Sequence, residues 1–504
     1  MEIASIKGDT VHLLYHPAET AAEVGQQFKI LELPGRSEGL IAQIISNDSL
    51  EYSGIQQEMI QNILEQRITK FDIKIDHEEG MDQIKSLKLA TAKIRKRIQN
   101  GVWRNWDGWI PTRNVEITQV DANELLKCVL PSPQHLLQSF TKFNGTPIQF
   151  DGSKLNMVNV IAGVKGSGKS HLAKHLVLSL VERNVPCVIF DINGEYIMLP
   201  NSQILKWGDN FIPDLAEVGY EMLSLVVKAL YPLPANSESV FEGMLPVIFA
   251  QRRSYCDSQK LPFTIDIDSL KKATWKNDNF VQPAIEDRLR VIGNRGLFLS
   301  PNSRKGVQAT NIQQVYEQSC KGQPIIFDMR DLTPSLQRAL VKSINNSLES
   351  ICVVESRPAH DNIPAGQGRY PFVFFEEAHF YISPDSIINI ITRGRHIGLG
   401  SVFVTNTPQN LPDTVFRQLD NLFLLALTHK DDIKNVSKNS FTDEDTIQSF
   451  ATRMPEKHAL IMGNITDRYP LLVKVDPLPA SMPPTGQTKS TWDRFAPSSS
   501  KSTP

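Results

Sequence analysis

Gly163-Val164-Lys165-Gly166-Ser167-Gly168-Lys169-Ser170 fits the pattern G-x-x-x-x-G-K-[ST], which is typical of loops that bind phosphate groups. The glycines let the backbone curl so that successive N–H groups point at anionic oxygens, and the N-terminus of the following helix adds a positive field. In such a loop Lys169 reaches the terminal phosphates of a nucleotide, and Ser170 is a ligand of the magnesium ion. The octapeptide therefore predicts a nucleotide site, with ATP and Mg2+ as its cofactors.

The residues on either side of the loop predict the strand and the helix that this chemistry needs. Met157-Val158-Asn159-Val160-Ile161 precedes the loop and has the length and apolar character of a buried strand. After the loop, apolar residues recur with helical period at Leu172, Ala173, Leu176, Val177, Leu180 and Val181. The order is therefore strand, phosphate loop, helix.

Short apolar runs alternate with helical patterns from about residue 155 onward, which is typical of a parallel sheet flanked by helices. The candidate strands are residues 187–190, 324–327, 372–375, 402–405 and 422–425. The predicted fold class is α/β, with a P-loop core built on a parallel-rich sheet, a small N-terminal β-barrel and a helical insertion.

The length of 504 residues exceeds what one hydrophobic core usually holds, so several folded units are expected. The predicted domains are a β-barrel over residues 1–130, the ATPase core over 131–212 and 301–475, a helical insertion over 213–300, and an extended or disordered C-terminal strap over 476–504. The strap is predicted from its richness in proline, serine and threonine.

A basic and aromatic stretch of the first domain has two interpretations. It contains Lys93, Arg95 and Arg97, followed by Trp103, Trp106 and Trp109. Interleaved cations and aromatic rings can follow a nucleic-acid backbone and stack on bases. The alternative, which we favour because apolar side chains are mostly buried, places the tryptophans in the barrel core and the cations on its solvent face.

Composition and charge exclude several classes of protein. The net charge of −2 argues against a surface coated in basic charge for nonspecific binding of nucleic acid. The five cysteines lie far apart and form no C-x-x-C pair, so neither a disulfide framework nor a zinc site is expected. Neither a targeting signal nor an apolar run of membrane-spanning length is found, so a cytoplasmic protein without a membrane partner is expected.

A pair of acids follows one of the candidate strands, in Phe372-Val373-Phe374-Phe375-Glu376-Glu377-Ala378-His379. Hydrolysis of a phosphoanhydride needs one acidic group near the metal and another that polarises the attacking water. The carboxyl end of a strand beside the phosphate loop delivers both, with Glu376 near the metal and Glu377 at the water. The alternative is that both are exposed acids at the start of a helix.

An arginine cluster follows at Thr392-Arg393-Gly394-Arg395-His396. Arginine stabilises the charge that spreads over a transferred phosphoryl group, and in ring ATPases it typically comes from the neighbouring subunit. Arg395 is the candidate for this role and Arg393 is the second choice. The alternative is a turn in which both arginines pair with surface acids.

The segment Phe190-Asp191-Ile192-Asn193-Gly194-Glu195-Tyr196 also follows a candidate strand. It places Asp191 and Glu195 beside the same phosphate site, unless Asn193-Gly194 is only a turn. Asn406, at another strand end, is a candidate sensor of the terminal phosphate. The predicted catalytic residues are Glu377, Arg395, Lys169 and Glu376, the predicted metal ligands are Ser170 and Glu376, and the predicted nucleotide-binding residues are 163–170, His171, Glu195 and Asn406.

These segments together resemble the HerA family of the HerA/FtsK superfamily. The resemblance is carried by Gly163–Ser170, Phe190–Tyr196, Phe374–His379, Gly394-Arg395 with Gly398, Val402–Pro408 and Asn410-Leu411-Pro412, and spans about residues 145–475. The chain departs from the family pattern at Glu376, where an aspartate is usual, and at Asn406, where a glutamine is usual.

The resemblance implies a RecA-like P-loop core in a homohexameric ring that threads double-stranded DNA and hydrolyses ATP at its subunit interfaces. It also implies an effector partner, either a NurA-like nuclease or, in bacterial antiviral defence, a sirtuin-like NAD-consuming protein. The alternative is a ring scaffold that uses ATP to assemble and activate such an effector without processive translocation.

Overall fold

The computed structural model describes residues 1–17, 20–49, 88–112, 114–130, 134–155, 158–275, 280–299, 312–355, 371–384, 387, 391, 399–438, 440–480 and 482. The strands are β1 (Glu2–Lys7), β2 (Thr10–Tyr15), β3 (Gln27–Glu32), β4 (Gly39–Ser49), β5 (Lys88–Gln99), β6 (Val102–Asn105), β7 (Val115–Gln119), β8 (Thr141–Phe143), β9 (Thr146–Ile148), β10 (Val158–Ala162), β11 (Cys187–Asp191), β12 (Gln203–Leu205), β13 (Ile325–Asp328), β14 (Phe372–Phe375), β15 (Gly400–Thr405), β16 (Asn421–Leu424), β17 (His458–Gly463) and β18 (Leu471–Val475).

The α-helices are α1 (Ala122–Val129), α2 (Lys169–Glu182), α3 (Leu215–Leu230), α4 (Ala235–Ser258), α5 (Ile267–Lys271), α6 (Val281–Asn294), α7 (Ile312–Ser319), α8 (Pro334–Glu355), α9 (Asp413–Arg417), α10 (Lys430–Lys438) and α11 (Glu444–Thr452). Short 3-10 helices occur at Gly152–Leu155, Ala378–Phe380, Pro408–Asn410 and Asn464–Thr466. In the described part of the chain, no helix is both long and apolar enough to cross a lipid bilayer.

The chain forms two compact units. The first contains Met1–Gln134, Thr141–Asp151 and Asn421–Lys474, and the second contains His135–Phe140, Gly152–Asp420 and Val475 onward. The predicted domain boundaries differ from this division, since residues 421–474 group with the N-terminal region and the helices between 215 and 294 group with the phosphate loop. The four-part division itself stays a prediction.

The first unit begins with an antiparallel sheet in the order β1-β2-β5-β4-β3-β7, with β6 paired to β5. Among the described residues its two edge strands do not pair with each other, so the sheet is a curled half-barrel. Alternate residues of β2 are buried, β4 and β5 contribute further buried residues, and Trp106 and Trp109 pack against that core. This agrees with the core interpretation for these two tryptophans, but Lys93 is 6% exposed and the Arg95 side chain is 8% exposed, so the placement of the cations on the solvent face is wrong for these two residues. A smaller antiparallel group of β16, β17 and β18, with the hairpin β8–β9, completes the unit.

The second unit is built on parallel strands in the order β12-β13-β11-β14-β15-β10. The strands are nearly continuous apolar runs because helices cover both faces of such a sheet. The predicted strands at 187–190, 324–327, 372–375 and 402–405 coincide with β11, β13, β14 and β15 to within two residues, which confirms the α/β fold.

A ladder of phenylalanines aligns the ends of the central strands. Phe190 stacks on Phe327 and on Phe375, with ring centres 5.4 and 5.6 Å apart, and Phe375 stacks on Phe403 at 4.9 Å. Each stacked pair adds about 0.5–1.5 kcal/mol beyond the burial of its area. Because the residue after Phe190 is Asp191 and the residue after Phe375 is Glu376, the ladder brings these two acids to the same edge of the sheet.

Candidate nucleotide site

The phosphate loop connects β10 to α2, as the sequence predicts, and two of its glycines have left-handed backbone conformations. Gly166 has φ = 81° and Gly168 has φ = 103°, and Gly168 is the N-cap of α2. A side chain at either position would be strained. The loop is anchored by hydrogen bonds from the Ser167 N–H to the Val164 carbonyl (3.1 Å) and from the Gly163 N–H to the Thr405 carbonyl (3.3 Å). The first turn of α2 therefore directs its free N–H groups toward the space above the loop.

Lys169 lies under this loop and is only 6% exposed. Its ammonium group donates a hydrogen bond to the Val164 carbonyl at 3.2 Å. Burial lowers the pKa of Lys169, while the charges of Glu377, Glu376 and Glu195 oppose this shift. The lysine is thus held beside three carboxylates, at the position where the sequence pattern predicts a contact with phosphate.

Ser170 and Glu376 meet across the site, with the Ser170 hydroxyl 3.2 Å from Oε1 of Glu376. Glu376 follows β14 and is 1% exposed. Burial raises the pKa of the Glu376 carboxyl to about 8; the hydrogen bond from Tyr196 opposes this, and the charges of Glu195, Glu377 and Asp191 add to it. A hydroxyl and a carboxylate at this separation are hard oxygen donors, and Mg2+ prefers such ligands. The pair therefore fits the predicted magnesium site.

Glu377 has the backbone and side-chain features of a functional residue. Its φ and ψ are both 48°, a left-handed conformation that costs a non-glycine residue about 1 kcal/mol or more. Oε1 accepts a hydrogen bond from the Asn406 amide at 3.3 Å, whereas Oε2 is buried without a hydrogen-bond partner among the described residues. Burial raises the pKa of Glu377, and the charge of Lys169 opposes the shift. The alternative of two exposed acids is wrong, since Glu376 is buried and the Glu377 side chain is 13% exposed.

The segment after β11 is a tight turn organised by Asp191. The Asp191 carboxylate accepts hydrogen bonds from the N–H groups of Asn193, Gly194 and Glu195 on Oδ1 and of Tyr196 on Oδ2, at 2.8–3.2 Å. Gly194 has φ = 72°, as the turn interpretation requires. Asp191 therefore shapes the turn, and the turn brings the charge of Glu195 close enough to affect the pKa values of Lys169 and Glu376.

Two tyrosines belong to the site although the sequence patterns did not single them out. The Tyr196 hydroxyl donates to Oε2 of Glu376 at 2.7 Å, and the Tyr381 hydroxyl donates to the backbone carbonyl of Glu376 at 2.9 Å. Both side chains are fully buried. Tyr196 ends the segment that follows β11, so its sequence position indicated that it lies near the phosphate loop. Its hydrogen-bond partner Glu376 is 180 residues away in the sequence, so their contact could not be predicted.

The histidines near the site have protein partners. Nε2 of His171 lies 2.8 Å from the carbonyl oxygen of Asp476, so this ring bonds to the segment after β18. Nδ1 of His379 lies 3.1 Å from the Thr405 hydroxyl. The role of His171 in nucleotide binding stays a prediction. Arg393 and Arg395 lie outside the described residues, and the role of Arg395 also stays a prediction.

Parts of this chain are similar to known proteins. Residues 137–348, which include the phosphate loop, match the family model described as the central domain of the helicase HerA. The DNA double-strand break repair helicase HerA of Sulfolobus acidocaldarius is 22% identical over 341 residues, which cover 63% of this chain and 64% of the relative. Its counterpart from Sulfurisphaera tokodaii is 30% identical over 113 residues, or 21% of this chain and 22% of the relative.

Solved structures also show similarity to this chain. VirB4 of Thermoanaerobacter pseudethanolicus has a TM-score of 0.49 at 13% identity, covering 70% of this chain and all of VirB4. The bacterial conjugative coupling protein TrwB has a TM-score of 0.45 at 16% identity, covering 72% of this chain and 95% of TrwB. The chain spans less than two thirds of the length of the curated relatives named above. The phosphate loop lies inside the matched central domain and a HerA protein matches 63% of the sequence, so this chain is similar to the HerA family.

Proposed function

We propose that this chain is the ATP-hydrolysing subunit of a DNA-handling motor. The observation that carries the proposal is the convergence of Ser170, Glu376 and Glu377 on the phosphate loop. Ser170 and Glu376 offer oxygen ligands 3.2 Å apart, and one buried oxygen of Glu377 has no hydrogen-bond partner among the described residues, with Nδ1 of His379 3.5 Å away. A buried carboxylate oxygen without a partner costs about 1–3 kcal/mol, so a ligand or water at that position would recover the cost.

Different residues of the site contribute to different steps of ATP hydrolysis. The N–H groups of the loop and the N-terminus of α2 bind the phosphates, and the Lys169 ammonium reaches the terminal phosphate. Ser170 and Glu376 would hold Mg2+, which when bound neutralises charge on the phosphate oxygens. Neutralising this charge lowers the cost of placing an anion beside the three carboxylates around Lys169.

Glu377 is the residue that we assign to the attacking water. Asn406 holds its Oε1, so that Oε2 is left to accept a hydrogen bond from the water. The same contact links the carboxylate to the end of β15, and a change at Asn406 would reach Glu377 directly. This pairing supports the predicted role of Asn406 as a sensor of the terminal phosphate.

The assembly and the partners follow from the family resemblance. We propose a homohexameric ring on double-stranded DNA, in which Arg395 of one subunit acts at the site of its neighbour. A NurA-like nuclease or a sirtuin-like effector would be the partner, with a role in DNA end processing or antiviral defence. The second candidate function is an ATP-controlled ring scaffold for such an effector; Glu376, one carbon longer than the aspartate usual in the family, favours it because a shifted metal geometry would slow turnover.

Steady-state ATP hydrolysis with and without linear duplex DNA separates the two functions. For a motor, duplex DNA raises the turnover of the wild type several-fold and has no effect on Glu377→Gln. Glu456→Gln, at an exposed site, is the matched control and responds as the wild type does. An ATP hydrolysis rate that is unchanged by duplex DNA and rises only when the effector protein is added would contradict the motor and support the scaffold.

A further inference from the structure

The Glu376 carboxylate is held by hydroxyl groups on both of its oxygens. Ser170 contacts Oε1 at 3.2 Å, and Tyr196 donates to Oε2 at 2.7 Å. The second contact is the shorter, and it is made by a side chain that is fully buried. One oxygen is therefore fixed by the protein interior while the other faces the phosphate loop.

Tyr196 is itself held in place from several sides. Its backbone N–H donates to Oδ2 of Asp191 at 2.8 Å, as the last bond of the turn after β11. The ammonium group of Lys174, on α2, lies 5.7 Å from the centre of the Tyr196 ring, within the range of a cation–π interaction. The phenol hydroxyl thus has a defined position before any ligand binds.

A glutamate at the end of β14 needs such a contact. Its side chain has one more rotatable bond than an aspartate, so the carboxylate can turn away from Ser170 unless something holds it. Partners that orient a metal ligand commonly contribute tenfold or more to metal affinity. The hydrogen bond to Oε2 restricts this rotation and leaves the lone pairs of Oε1 directed toward Ser170.

We propose that Tyr196 is a positioning residue for Glu376, which holds Oε2 so that Oε1 is presented with Ser170 to the divalent cation. This inference rests on the proposed function, because the cation is the one that accompanies ATP. Tyr196 itself contacts neither the nucleotide nor the metal. The turn shaped by Asp191 is then the element that couples the end of β11 to the metal site.

Tyr196→Phe and Tyr381→Phe form a matched pair for testing this inference. Both remove a buried tyrosine hydroxyl that donates to Glu376, but only Tyr196 donates to the carboxylate. The probe is Mn2+ in the presence of ADP, and its binding to the protein is followed by the loss of the EPR signal of free Mn2+. We expect Tyr196→Phe to weaken Mn2+ binding about tenfold and Tyr381→Phe to leave it near the wild-type value.

Two further readouts separate positioning from general damage. In EDTA, the affinity of Tyr196→Phe for a fluorescent ADP analogue should equal that of the wild type. In a Glu376→Asp background, Tyr196→Phe should have no further effect on Mn2+ binding, because a carboxylate shorter by about 1.5 Å no longer reaches the phenol. Tyr196→Met, which also lacks the hydroxyl, serves as a second variant should Tyr196→Phe fail to fold, and it should give the same loss.

The inference is overturned if both tyrosine variants lose Mn2+ affinity equally, if Tyr196→Phe binds Mn2+ as the wild type does, or if its loss persists in the Glu376→Asp background. Any of these results, with a wild type that hydrolyses ATP, leaves the proposed function standing. A wild type that binds Mn2+ no more tightly than ADP alone does would overturn the proposed function together with the inference.

Discussion

Lys169 shows most directly what kind of ligand the site is built for. Its ammonium is buried beside Glu376, Glu377 and Glu195, and in the described structure its hydrogen bond goes to a backbone carbonyl of the loop. A loop whose N–H groups face outward and whose lysine is held in place is prepared for an anion before one arrives.

The substitution Lys169→Ala tests whether the loop and its lysine bind the nucleotide phosphates. We expect the affinity for ATP to fall about ten- to hundredfold, because a charge-assisted hydrogen bond to phosphate is lost. Isothermal titration with ATP and Mg2+ measures the change, and Lys321→Ala, at an exposed lysine of the same unit, should bind as the wild type does. An unchanged affinity of Lys169→Ala would show that the nucleotide does not occupy this loop.

The residues of the site differ in how far the sequence could predict them. The loop and the acid pair have local patterns with a physical cause, and both were found from the sequence. The contact of Tyr196 with Glu376 joins residues that follow two different strands, β11 and β14, and no local pattern encodes such a pairing. The left-handed backbone conformation of Glu377 could not be predicted from the sequence either, since glutamate has no preference for that conformation.

At the scale of elements, α11 is fixed to β5 by a buried charged cluster in the first unit. The Arg95 guanidinium donates to Gln43 at 3.0 Å, to Thr446 at 2.8 Å and to Asp443 at 3.4 Å, and its side chain is 8% exposed. Burial alone would raise the pKa of Asp443, but the hydrogen bonds from Thr446 and the charge of Arg95 outweigh it and lower the pKa to about 2. Arg95 is therefore a structural residue, and this counts against the interpretation that it follows a nucleic-acid backbone.

Asp443→Asn should destabilise the first unit in a pH-dependent way. Because the folded pKa of Asp443 lies below its unfolded value, the stability that its charge contributes is present above about pH 4 and is lost as the pH falls toward 2. We expect Asp443→Asn to lower the free energy of unfolding by about 2 kcal/mol at pH 7 and by about half as much at pH 3. Urea unfolding followed by tryptophan fluorescence measures both values.

Asp445→Asn is the control for this prediction, since Asp445 lies on the same helix but its side chain is 74% exposed. An exposed ion pair contributes little, so its substitution should change stability only slightly at either pH. A loss for Asp443→Asn that is the same at pH 7 and pH 3 would contradict the assigned role of the charge.

Apart from the short strand β12, the strands of the second unit were predictable from the sequence, whereas the segments that make up the first unit were not. Continuous apolar runs such as residues 372–375 identify strands that are buried on both faces, and each is found where the pattern predicts it. The grouping of residues 421–474 with the N-terminal sheet depends on long-range pairs such as Arg95 with Asp443. A sequence pattern that extends over a few residues cannot reveal such pairs.

At the scale of the whole molecule, the proposal requires that subunits complete one another's sites. Arg395→Ala should abolish ATP turnover in a homogeneous ring, and Arg393→Ala, two residues away, should retain it. Mixing Arg395→Ala subunits with Lys169→Ala subunits should restore part of the activity, because the second variant keeps its arginine and can supply it to a neighbour. Turnover by mixtures of the two purified variants is the measurement, and full activity of Arg395→Ala alone would show that the interfacial role is wrong.

The central claim is that this chain cleaves ATP with Glu377 at the water, and the release of phosphate from ATP in a single turnover tests it most directly. The account predicts Mg2+-dependent release by the wild type and a rate lower by about a hundredfold or more for Glu377→Gln, with ATP binding retained. Release by Glu377→Gln at the wild-type rate, or no release by the wild type, would contradict it.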